Sequence, residues 1–168
     1  DELYVAYFNI SGAASSGGIR IGTGQGADRS GALELSTGES IESAGSVNIL
    51  GGHSSEGTGG DITLTSGTSD ENVTGKLVLE SGASSASETG DISLKSGSSG
   101  SAASGSIHVR SGESTGKMAG SVLIEGGVTK TASSGSHIGI HGGDVIGTTG
   151  VGGTVTVQSG HGVSSGNV

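Results

Sequence analysis

Five histidines are the side chains best suited to metal or proton chemistry: His53, His108, His137, His141 and His161. His137 and His141 lie four residues apart with Asp144 nearby, so two imidazoles and a carboxylate could form a ligand set. There is no cysteine and no HExxH signature, and no second cluster converges on the first. The expected placement of these histidines is on an outward face, with no metal and no cofactor. Gly57-Thr58-Gly59-Gly60-Asp61 and His141-Gly142-Gly143-Asp144 share composition with calcium-binding glycine-aspartate turns, but the aspartate recurs at no fixed position. Gly22-Thr23-Gly24-Gln25-Gly26 lacks the Lys-Ser/Thr and helical pattern that follow a phosphate loop. Serine is abundant, yet no serine sits in a nucleophile elbow with histidine and carboxylate partners. The expectation is a protein that is not an enzyme.

Two glycosylation sequons are present, Asn9-Ile10-Ser11 and Asn72-Val73-Thr74. Asn72 falls in a turn-like stretch and is the better acceptor of the two; Asn9 lies in an apolar segment. In a secreted protein of a eukaryotic host, glycans would be expected at Asn72.

The framework that positions these residues is a repeat. Glycine provides 37 of 168 residues, Pro, Cys and Trp are absent, and the three aromatics, Tyr4, Tyr7 and Phe8, all precede residue 9. Composition of this kind usually signals disorder, but the aliphatic residues recur in register. Anchor glycines fall at 17, 31, 45, 60, 75, 90, 105, 120, 135 and 153. Two and four residues beyond each anchor stand the pairs Ile19/Ile21, Leu33/Leu35, Val47/Ile49, Ile62/Leu64, Leu77/Leu79, Ile92/Leu94, Ile107/Val109, Val122/Ile124, Ile138/Ile140 and Val155/Val157. The ninth pair needs one inserted residue. A second glycine follows at the seventh position of every unit, preceded by Thr, Ser or Gly, and the ninth position is Ser or Thr through the central repeats, a regular column whose expected direction is inward.

Aliphatic residues two apart share one face of a strand. Glycine at each end allows positive φ, which this reading expects at the tight corners. The reading is an all-β fold, a thin flattened parallel β-solenoid (β-helix) of about ten coils of 14–18 residues spanning 17–168, after an N-terminal capping or docking strand at 1–16. Stacked coils would lie about 4.8 Å apart and bury the pairs between neighbours. In the N-terminal segment Leu3, Val5 and Tyr7 fall on one face and Tyr4, Phe8 and Ile10 on the other, which marks an assembly interface or cap. At the other end Val155 and Val157 form an open pairing edge, so end-to-end self-association or a longer parent chain was expected.

The chain holds 7 Lys+Arg against 16 Asp+Glu, a formal charge of −9, which argues against nucleic acid as a partner. No apolar run is long enough for membrane insertion.

The Gly-x-aliphatic-x-aliphatic-x-Ser-Gly-x-Ser pattern over 17–168 resembles glycine/serine-rich repeats of secreted algal (diatom-type) surface proteins and of viral tail-fibre-like shafts. The resemblance implies an extracellular or cell-surface location and a fibrous role, and carries over no functional residue. The function expected is a structural subunit or segment of an extracellular fibre, appendage, coat or adhesive. The alternatives are a fibre shaft presenting a receptor- or carbohydrate-binding element, and an ice-binding protein. The residues flanking the pairs are interrupted by charges, which fits a flat ice-binding face poorly.

Overall fold

The computed structural model describes residues 16–131 and 133–163. The N-terminal segment and its expected interface residues Leu3, Tyr4, Val5, Tyr7, Phe8 and Ile10, together with Asn9, lie outside the described residues. The chain divides into two units, Asp1–Leu79 and Glu80–Val168.

The expected β-solenoid is not formed. Among the described residues there is no strand and no helix, and no residue is buried. The aliphatic pairs face water: their exposure runs from 47% at Val155 to 75% at Leu94. The whole chain exposes 17327 Å², against about 7,400 Å² for a folded monomer of this mass.

The physical reason lies in where the backbone hydrogen bonds go. A parallel coil requires each repeat to donate and accept along the whole aliphatic stretch of the next. Among the described residues, only three backbone–backbone bonds form, and each closes a loop within its own neighbourhood: Gly60 N donates to Gly52 O (2.9 Å), Gly75 N to Gly67 O (2.9 Å) and Gly153 N to Gly143 O (2.8 Å). A period of two assigns side chains to faces, but it does not cover either face.

The three bonds obey one rule. The acceptor is always the seventh-position glycine and the donor is the anchor glycine of the following repeat. Each such pair closes a loop with its ends together, in the manner of a small Ω-loop. Close approach, not unusual φ, is what demands glycine at these necks. A Cβ on Gly60 would lie 2.9 Å from Gly52 N, and one on Gly153 would lie 2.8 Å from Gly143 N. Positive φ, expected at each corner, occurs among the described residues at Gly150 alone (φ 142°).

Candidate functional site: the repeat surface

Each repeat contributes two parts, a loop segment and an aliphatic pair, and hydrogen bonds close the loops at 37–45, 52–60, 67–75, 127–136 and 143–153. The loop is organised by small polar side chains. At the ninth position, Ser54 Oγ accepts from Gly57 N at 2.8 Å, Ser69 Oγ from Asn72 N at 3.0 Å, Ser84 Oγ from Ser87 N at 3.0 Å, Ser99 Oγ from Ala102 N at 3.0 Å and Ser114 Oγ from Lys117 N at 3.2 Å. In all five the serine satisfies the amide three residues on, the geometry that suits Ser in turns. Serine recurs there because its hydroxyl is short enough to fold back on its own loop. The column was expected to line a solenoid interior; it serves the turn instead.

The neck is built from the sixth position. Thr37 Oγ1 donates to Gly45 O at 3.2 Å. A Cβ on Gly31 would meet Thr23 Cγ2 at 3.5 Å, on Gly45 Thr37 Cγ2 at 3.4 Å and on Gly75 Ser66 Cβ at 3.4 Å. The half-buried residues among those described are Ser54, Ser66, Gly142 and Ser159, of which the last three occupy the sixth position. Among the described residues, three of the four half-buried places are therefore loop necks, and none is an aliphatic pair. Sequence reasoning recorded the Thr/Ser/Gly restriction at the sixth position but drew no contact from it. In the eighth loop, Ser136 Oγ donates to Gly127 O at 2.7 Å, so the side chain takes the place of an anchor amide.

The aliphatic pair is the other half of the surface. In all ten repeats the first member is less exposed than the second, as with Ile107 at 48% and Val109 at 68%. The backbone between them makes no backbone–backbone bond among the described residues. Each repeat thus presents an apolar step beside free amide and carbonyl groups, and the steps follow one another at 14–17 residues along the sequence. Val155 and Val157, expected at an open end, have the same exposure as the internal pairs.

The remaining sequence candidates are dispersed. Asn72 is exposed, and its backbone N–H is held by Ser69. Among the described residues no three His, Asp or Glu side chains gather into a metal-ligating group, so Asp144 is not brought to His137 and His141. No helix among those residues is long and apolar enough to cross a membrane.

No family model matches the chain, and comparison with curated proteins and with solved structures yields no match. The class defined by the geometry is a glycine/serine repeat chain of serine-organised loops, five of them closed by hydrogen bonds, joined by exposed aliphatic steps.

Proposed function

We propose that the protein is a non-catalytic structural repeat segment of an extracellular fibre, coat or adhesive, and that its partner is a second copy of the same chain. The observation that carries this reading is the periodic exposure of ten aliphatic pairs. A partner covering successive pairs must repeat at 14–17 residues in the same order or fall out of step, and the chain itself has those spacings. Exposed apolar surface of this extent marks an interaction site, and unpaired backbone beside it provides a template for pairing with another chain.

Charge adds a register. The residues just before the pairs include Asp61, Lys76 and Asp91 in consecutive repeats; those just after include Glu80, Lys95, Arg110 and Glu125. A parallel second copy without offset sets each charge against itself. An offset of one repeat sets Asp61 against Lys76, Lys76 against Asp91, Glu80 against Lys95 and Arg110 against Glu125, leaving Lys95 against Arg110 as the one like-charged pair among them. Exposed pairs contribute only about 0.2–1 kcal/mol each, so they choose the register while the aliphatic steps supply the affinity.

Negative-stain microscopy and light scattering of the full chain test this reading. Staggered, side-by-side assemblies that grow with concentration are expected. A chain that stays monomeric at high concentration and physiological salt contradicts it.

A further inference from the structure

The ninth repeat departs from the other nine at three positions. The residue between the two aliphatics is Arg20, Glu34, Asn48, Thr63, Val78, Ser93, His108, Leu123 and Thr156 elsewhere; here it is Gly139. The residues immediately flanking the pair are His137 and His141, and no other repeat has histidine at either place. His137, Gly139 and His141 form one alternate series along the chain, with Ile138 and Ile140 in the other.

The geometry uses the missing side chain. A Cβ on Gly139 would lie 3.1 Å from His141 Nε2 and 3.8 Å from His137 Nε2. Both imidazoles therefore turn their Nε2 atoms over the glycine, toward one small space that any other residue would fill. Both nitrogen donors thus lie within 4 Å of one point, the place a Cβ on residue 139 would occupy.

We propose that His137 and His141 form a bidentate site for a late first-row divalent cation, of the class of Zn²⁺, Ni²⁺ or Cu²⁺, with Gly139 as the floor that makes room for it. Imidazole nitrogen suits these metals and not calcium or magnesium. Metal–nitrogen bonds of about 2.0–2.1 Å require the two Nε2 atoms to come within about 4 Å of each other, which rotation of the two exposed side chains supplies. Two protein ligands leave the remaining coordination positions to water. The site does not rest on the self-association proposed above: its ligands are two imidazoles of one chain, and binding is read on the monomer.

Calorimetric titration of the full chain with Zn²⁺ and with Ni²⁺, read beside the imidazole resonances in NMR spectra, tests the proposal. Expected are one ion per chain and coupled changes in the His137 and His141 rings, with His53, His108 and His161 unaffected. His137→Ala and His141→Ala should each weaken binding tenfold or more. Gly139→Val, which keeps both ligands and fills the space between them, should weaken it as well. Binding that survives either histidine substitution unchanged, engages all five histidines alike, or is indifferent to Gly139→Val overturns the assignment.

Discussion

Replacing Gly60 and Gly52 by alanine, one at a time, should give opposite results although the two glycines close the same loop. A methyl at residue 60 would sit 2.9 Å from Gly52 N, closer than a real Cβ comes to a backbone nitrogen, whereas a methyl at residue 52 would meet nothing within 4 Å. In Gly60→Ala the neck must open, and the 2.9 Å bond from residue 60 N to Gly52 O is lost. Such a bond contributes about 0.5–1.5 kcal/mol net. In Gly52→Ala the bond survives, and alanine restricts the open chain, a gain of about 0.4–1 kcal/mol where the backbone is compatible. The two variants should differ by about 1–2 kcal/mol in loop closure, roughly a five- to thirty-fold difference in the open population. Amide hydrogen exchange at residues 57 and 60, measured by NMR, reads this directly. Exchange should be faster in Gly60→Ala and unchanged or slower in Gly52→Ala. Equal exchange in the two variants would refute the claim that close approach is what fixes glycine at the neck.

Three further outcomes are expected. Ser114→Ala removes the acceptor of the 3.2 Å bond from Lys117 N; that amide should exchange faster by a few-fold, corresponding to about 0.5–1 kcal/mol for an exposed bond, while the equivalent amides of other repeats keep their rates. Secretion from a eukaryotic host should add a glycan at Asn72, seen as a mass shift that Asn72→Gln abolishes; the exposed side chain leaves room for it. Raising salt from about 10 mM to about 150 mM shortens the screening length from about 30 Å to about 8 Å, so repulsion between chains carrying −9 charges should fall and association, followed by light scattering, should increase. A decrease would mean that the exposed ion pairs, and not the aliphatic steps, hold copies together.

The repeat was fully legible in the sequence, since the glycine anchors, the aliphatic pairs and the serine column are visible without coordinates. The mistake was to convert register into pairing. Ile107 and Val109 share a face by alternation, but a covered face needs a neighbour that donates and accepts along it, and the backbone bonding of the described residues is spent instead on Gly52–Gly60, Gly67–Gly75 and Gly143–Gly153. Nothing in the residue pattern separates a glycine needed for positive φ from one needed for close approach; Gly60 and Gly153 are of the second kind. The role of Ser54 as an acceptor for Gly57 follows from known turn chemistry, and was obscured by placing the column inside a coil. The His137–His141 pair was recognised by spacing, but the sequence reading looked to Asp144 as third partner and overlooked Gly139, whose missing side chain creates the space.

Association through the aliphatic steps is most directly tested by sedimentation velocity on the wild-type chain and on a variant in which Ile92, Leu94, Ile107 and Val109 are all replaced by serine. Full burial of such a side chain contributes about 1.5–3 kcal/mol. With 48–75% of each still exposed, covering the four would contribute on the order of 4–8 kcal/mol. The wild type should sediment as a concentration-dependent series of assemblies, and the variant should need at least a hundredfold higher concentration to reach the same distribution. Superimposable distributions for the two chains would contradict the account.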